Sequence, residues 1–217
     1  MSVPTQPILY AFWRSSSAWR VRLALNLKGI AYETRPVNLF TDENKTEAYR
    51  KIQPFGAVPA FIDNRGDGRV LIESVAIIEY LEETRSETPL LPKDPVDRAT
   101  VRALALAIGM DIQPLCSIRV TKHLGQDKAG NWSKHWLTEG FAAVEKLLEK
   151  SAGKYSFGDT ITMADILLVP QFANGILAGL DVTPYPIMSR INATLGELDA
   201  FKAAHPKQQP DCPLEMR

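Results

Sequence analysis

The chain has 217 residues, 45% hydrophobic and 23% charged, with 25 Lys plus Arg against 25 Asp plus Glu. That length can bury the core of one large or two modest domains, and zero formal net charge supplies no global attraction for nucleic acid or an anionic membrane. Cys116 and Cys212 lie far apart with no CxxC or histidine pair nearby, which argues against a zinc site or a disulfide framework and fits a reducing compartment.

The N-terminal stretch "MSVPTQPILYAFW" lacks a basic segment followed by a long apolar run, so neither signal peptide nor membrane anchor is predicted and a cytoplasmic location is expected. Within it "PILYAFW" reads as a buried strand. After three serines, "AWRVRLALNLKG" sets Trp19, Leu23 and Leu27, with Ala24 on the adjoining row, at helical spacing and stops at Gly29, a natural C-terminal cap. "YETRPVNL" reads as a second strand and "ENKTEAYRKI" as a short polar helix. "VPAFID" and "VLIE", joined by the turn-rich "DNRGDG", predict a hairpin. "SVAIIEYLEET" reads as a helix with Ser74 at its N-cap.

"TPLLPKDPVDR" carries three prolines and suits a stiff connector. Beyond it, "DRATVRALALAIGMDIQPL", "KHWLTEGFAAVEKLLEK", "TMADILLVPQFANGIL" and "YPIMSRINATLGELDAFKAAH" are long enough for helices, and none alternates as a strand would. Two domains are therefore expected, a mixed one over 1–88 and an all-helical one over 89–217.

Three stretches could carry chemistry. A helix that follows the first strand offers unpaired amides and a dipole to an anion, and Ser15, Ser16 and Ser17 would add hydroxyl donors, with Arg14 and Arg20 flanking them. A thiolate is one such anion, since thiol pKa values fall at helix N-termini or beside cations. The alternative is a single capping serine with two exposed neighbours. Pro59 opens the strand "VPAF": it is either an ordinary trans entry proline or a cis one, which would leave the Val58 N–H and C=O free to pair with an extended peptide. Glu73 and Ser74 open a helix, a capping motif that could also hold a carboxylate.

The run "RSSSAWRVRLAL", then "VPAF", then "ESVAIIEYLEE" and "LLPKDP", resembles the glutathione transferase superfamily, and more narrowly its zeta class, which includes the maleylacetoacetate and maleylpyruvate isomerases. The likeness continues through "DIQPL", "GFAAVEKLLE", "GDTITMADILLVPQ", "DVTPYP" and "HPKQQPD". It implies an α/β thioredoxin-like N-terminal domain, an all-α C-terminal domain, a homodimer and glutathione as cofactor. Carried onto this chain, Ser15, Ser16 and Ser17 would surround the glutathione sulfur, and Arg20 is grouped with the glutathione contacts. Val58, before the family's cis-proline Pro59, would pair with the cysteinyl backbone, Glu73 and Ser74 would hold the γ-glutamyl end, and Gln113 would also reach the tripeptide. In "TITMADI", Thr162 and Asp165 match the family's helix-capping module, which serves folding.

Two departures stand out. Zeta enzymes usually carry Ser-Ser-Cys where this chain has Ser15-Ser16-Ser17, and they commonly place an arginine where Leu177 stands. Arginine grips a carboxylate bidentately and leucine cannot, so the acceptor pocket is expected to be roomier and less suited to an anion. Arg14 and Arg119 remain as acceptor-side carboxylate partners or as ordinary surface arginines. The implied activity is cis–trans isomerisation of a conjugated enone by reversible addition of the glutathione thiolate. The alternatives are a transferase conjugating electrophiles, including α-haloacids, and a non-catalytic binding protein of the same fold. No metal, nucleic acid or membrane partner is expected.

Overall fold

The computed structural model describes residues 3–65 and 67–217. Contacts divide the chain into two units, Met1–Thr88 with Asp199–Arg217, and Pro89–Leu198.

The first unit contains β1 (Ile8–Ala11), α1 (Ser16–Leu27), β2 (Glu33–Pro36), a 3-10 turn at Glu43–Lys45, α2 (Glu47–Arg50), β3 (Ala60–Ile62), β4 (Val70–Ile72) and α3 (Ser74–Thr84). Its sheet runs β2-β1-β3-β4, with β1 parallel to β2 and antiparallel to β3, and β3 antiparallel to β4. Leu9 sits at the centre, opposite Thr34 on one side and Phe61 on the other. A strand–helix–strand crossover followed by a hairpin and a helix is the thioredoxin-like plan. Leu9 and Phe61 of the sheet, Leu23, Ala24 and Leu25 of α1, and Ile77, Ile78 and Leu81 of α3 are all fully buried, which is where the hydrophobic stabilisation of this unit resides. The polar helix expected over 43–52 is divided because Thr46 is extended and accepts the Tyr49 amide at 3.3 Å, starting a new helix inside it.

The sequence-based division puts 199–217 with the helical part, whereas the structure packs it on the first unit. The helix expected over 185–205 breaks after Gly196, at Glu197–Leu198, into α8 (Pro186–Gly196) and α9 (Asp199–Ala204). Polar side chains of α1 then collect the last segment. Arg22 Nε donates to the Ala204 carbonyl at 3.1 Å and Asn26 Nδ2 to the Ala200 carbonyl at 3.1 Å. The Trp13 amide donates to Asp211 Oδ2 at 2.8 Å.

Two buried ionic groups close this unit. Lys28 Nζ donates to Glu82 Oε2 at 2.9 Å and to the carbonyls of Arg85 and Thr88 at 2.8 and 2.7 Å, using all three ammonium hydrogens. Asp63 accepts from Arg85 Nη2 at 2.6 Å and from the Tyr80 hydroxyl at 2.6 Å. Burial alone would raise the Asp63 carboxyl, but Arg85 and Tyr80 outweigh it and hold the group below the usual carboxylate range.

The second unit contains α4 (Pro95–Leu106), a π-turn at Ala107–Ile112, a 3-10 turn at Gln113–Cys116, α5 (Ile118–Leu124), α6 (Gln126–Ser151), α7 (Met163–Leu177) and α8. Among its described residues the one β-feature is an isolated bridge between Ala152 and Gly158. The long helix expected from Asp97 changes pitch at Ala107, where α6 approaches so closely that a Cβ on Gly140 would collide with the Ile112 side chain. By length and composition Pro95–Leu124 could cross a bilayer, but here it is three helical forms in series, packed on α6 and α7. The unanticipated α5 lies between Ser117 and Gly125, whose φ is +78°.

At the start of α7, Asp165 is fully buried and accepts from the Thr162 amide (2.7 Å), the Thr162 hydroxyl (3.0 Å) and the Ser156 amide (2.8 Å). The capping module read from the sequence is thus present.

Candidate active site

Where β1 runs into α1 the chain turns sharply, the Ser15 amide donating to the Phe12 carbonyl at 2.9 Å. Ser15 is the N-cap: its Oγ accepts the Ala18 amide at 3.2 Å. A hydroxyl that accepts in this way keeps its own hydrogen for another acceptor. Ser16 and Ser17 form the first turn, Ser16 buried and Ser17 half-buried. Their amides and hydroxyls have no partner among the described residues. One serine therefore caps, and the other two present donors at the positive end of the helix dipole.

The Val58–Pro59 bond is cis. Val58 is buried in a cluster with Phe12 and Trp13, the residues that lead into the serines, so the sheet brings these two stretches together. Pairing of β3 begins at Ala60, and the N–H and C=O of Val58 have no hydrogen bond among the described residues. Arg14 is exposed, its Cζ 5.8 Å from the centre of the Phe40 ring.

At α3 the expected cap shifts by one residue. Glu73, not Ser74, is the N-cap, exposed and held at φ +69°. A positive φ on a non-glycine residue costs energy and recurs at functional sites. Ser74 is the first helical residue, and its Oγ accepts from Arg20 Nη1 at 3.4 Å. Arg20, expected beside the serines, is instead only 2% exposed and turned toward α3. Burial lowers its guanidinium to about 10, which leaves it charged at neutral pH. A cation set inside the apolar run "AWRVRLAL" was the signal for burial; its direction was not legible.

The second unit holds the other candidates. Gln113 is half-buried at the head of the 3-10 turn, its amide donating to the Ile108 carbonyl. Arg119 is exposed on α5, and Leu177 is the last residue of α7, 63% exposed, followed by exposed Ala178 and Gly179. Cys116 donates to the Ser133 carbonyl at 3.8 Å, and burial pushes its thiol up to about 11, so it is protonated at neutral pH. No group of three or more metal-ligating side chains occurs among the described residues.

A thioredoxin-like unit with two open helix N-termini, followed in the chain by an all-helical one, is the plan of the glutathione transferases. Residues 9–89 match the glutathione S-transferase N-terminal domain and residues 117–203 the C-terminal domain. The probable maleylacetoacetate isomerase 2 of Drosophila melanogaster is 51% identical over 213 residues, 97% of this chain and 92% of its own. A bacterial maleylpyruvate isomerase described as a zeta-class glutathione S-transferase superposes with a TM-score of 0.90 at 43% identity, covering 95% of this chain and 100% of that one. The maleylacetoacetate isomerase of Anaeromyxobacter dehalogenans, solved with glutathione in its active site, gives a TM-score of 0.88 at 42% identity over 96% of this chain and 98% of its own. The chain belongs to the glutathione S-transferase family, in its zeta class.

Proposed function

We propose that this protein is a glutathione-dependent cis–trans isomerase acting on maleylacetoacetate or a related conjugated enone. The observation that carries the reading is the open first turn of α1: a capping serine with a spare hydrogen, followed by two serines whose amides and hydroxyls are unclaimed, packed beside the unpaired backbone of Val58. These groups fit a thiol tripeptide. The Val58 N–H and C=O supply one donor and one acceptor for an extended peptide, and the donors of α1 favour an anion where its sulfur would lie. At α3, Ser74 and the local amides suit a carboxylate, with Glu73 next to them as an acceptor for an ammonium.

When bound, glutathione supplies a thiolate that can add reversibly to a conjugated double bond. Ser15 donates to the sulfur and so favours its ionised form at neutral pH. Ser16 and Ser17 add positive potential from the helix end, and Gln113 would contribute a further glutathione contact. Arg14 and Arg119 are the side chains available to a substrate carboxylate. The companion reading, conjugation of a less anionic electrophile, is favoured by Leu177, an exposed apolar residue where relatives of this class commonly carry arginine. We place the enzyme in the cytoplasm as a homodimer, consistent with two free thiols and with exposed Phe40, Phe55 and Met110 on its surface.

The test is the steady-state rate on maleylacetoacetate with and without glutathione, following product and thiol together. Turnover that requires glutathione and leaves its concentration unchanged supports the isomerase. Stoichiometric loss of thiol replaces it with conjugation, and tight glutathione binding without turnover overturns both for this substrate. Leu177→Arg is expected to raise kcat/KM on the dicarboxylate about 10-fold, the worth of a charge-assisted contact, with glutathione affinity unchanged.

A further inference from the structure

We propose that Arg20 is the buried counter-cation for the γ-glutamyl carboxylate of glutathione, acting as a positioning residue through the Ser74 hydroxyl at the N-terminus of α3. The assignment rests on the glutathione reading above and goes beyond it by giving a role to a side chain lying under the site.

Two arginines of α1 are buried to the same degree, and they differ in what they serve. Arg22, 1% exposed, spreads its guanidinium over three carbonyls, Ala204 at 3.1 Å, Phe12 at 3.5 Å and Trp13 at 3.1 Å. It ties the end of β1 to the C-terminal segment. Arg20, 2% exposed, has one long bond, to Ser74 Oγ, while its Nε and Nη2 are buried without a partner among the described residues. No carboxylate of the described chain lies within 4 Å of it. A buried guanidinium with most of its donors unused and no counter-ion is costly to folding, by several kcal/mol as a class. Nothing in the fold draws a benefit from it. Its one contact is the hydroxyl that heads α3, beside the amides of Ser74, Val75 and Ala76, which also have no acceptor among the described residues. Two elements that each attract an anion, a helix terminus and a lone cation, therefore converge on one hydroxyl. Ser74 Oγ accepts from Arg20 and keeps its own hydrogen to donate outward, so the buried charge polarises the group that meets the carboxylate.

The carboxylate's share of binding can be read by comparing glutathione with 4-aminobutyryl-cysteinyl-glycine, which lacks only the γ-glutamyl α-carboxylate. Dissociation constants for both would be measured by calorimetry on the wild type, Arg20→Met and Arg20→Lys, with the Tm of each free protein. The wild type is expected to prefer glutathione by roughly 100-fold and Arg20→Met by less than about 10-fold, a loss of the size expected for a charge-assisted contact. The loss should fall on glutathione alone, with the analogue bound as tightly as before, and the free Arg20→Met protein should melt no lower than wild type because an uncompensated charge has been removed. A variant that weakens both ligands equally, or keeps the wild-type preference, overturns the proposal, as does a large fall in the Tm of the free protein with preference intact. If Arg20→Met does not fold, Arg20→Lys decides. It keeps the charge with a shorter reach and is expected to lose part of the preference, and an unchanged preference there overturns the assignment. A wild type that binds neither ligand removes the glutathione reading itself, a result distinct from unchanged preference in a binding-competent variant.

Discussion

The N-termini of α1 and α7 begin alike and end up with opposite properties. Both follow an extended hydroxyl residue, Ser15 or Thr162, that stands at the N-cap. At α7 the chain brings its own anion: Asp165 turns back inside the helix and takes three donors, two from Thr162 and one from Ser156. At α1 no acid stands in the first turn, and only the Ala18 amide is claimed. The difference is one side chain at the third helical position, aspartate in α7 and alanine in α1. A helix start becomes structural when the protein supplies the negative charge, and it remains available to a ligand when the protein withholds it.

Removing the internal anion should give the largest effect. Asp165→Ala leaves three buried donors without an acceptor, and a loss of about 3–4 kcal/mol is expected, seen as a Tm lower by about 10 °C in calorimetry. The glutathione dissociation constant of the folded fraction should stay within about twofold. If stability barely moved, α7 would be no more closed than α1 and the contrast would fail.

Cutting the cap at the open end should reverse the pattern. Ser15→Ala is expected to lower kcat/KM by about 100-fold, the scale of one missing donor to a developing anion, while costing only about 1 kcal/mol of stability. Ultraviolet titration of bound glutathione thiolate should show its pKa shifted up relative to wild type. A fall in stability with activity preserved would make Ser15 a structural cap like Thr162.

Much of this arrangement was legible in the chain, and the part that was not has a common cause. The strand before the serines, the hairpin around "DNRGDG", the Gly29 stop and the Thr162–Asp165 pair are local signals, written within a few residues of where they act. The misplacements were long-range. Ser74 looked like an N-cap because serine prefers that position, but the turn from β4 puts Glu73 there at positive φ. Arg20 and Arg22 sit two apart in one apolar run, and which would serve the fold was decided by segments 54 and 182 residues away. The last helix was read through Gly196 because its apolar period continues; the polar side chains that pull 199–217 onto the first unit lie on α1.

Closure does not follow the unit, and acid can show this. In the first unit, Asp63 is as fully claimed as Asp165, by Arg85 and Tyr80. Its carboxyl is held below the usual range, so its contribution is complete above the unfolded value near ~4 and is lost as pH falls through the folded one. Thermal melts between pH 5 and 2 should show that loss in the wild type and a flatter profile in Asp63→Asn. Parallel profiles would mean that the pair with Arg85 is not what holds this corner.

The smallest expected effect belongs to a site that is neither open nor closed. His205 packs edge-on to Trp19 with ring centroids 5.3 Å apart, its Nδ1 accepts the Lys207 amide at 3.2 Å, and it is largely exposed. Burial, then Lys207 and Arg22, lower its pKa below the ordinary imidazole value. A depressed histidine favours folding when neutral, so its contribution is full above about pH 6.5 and fades as pH falls toward the folded value. Solvent screens an exposed ring, and the Tm of the wild type should drop by about 2 °C or less between pH 7 and 5.5 through this group. The drop should be absent in His205→Phe, with Trp19 emission titrating in the wild type only. An equal slope in both proteins would place the pH sensitivity elsewhere. It would also leave Arg22 and Asn26, rather than the ring at 205, as the groups that hold the C-terminal segment against α1.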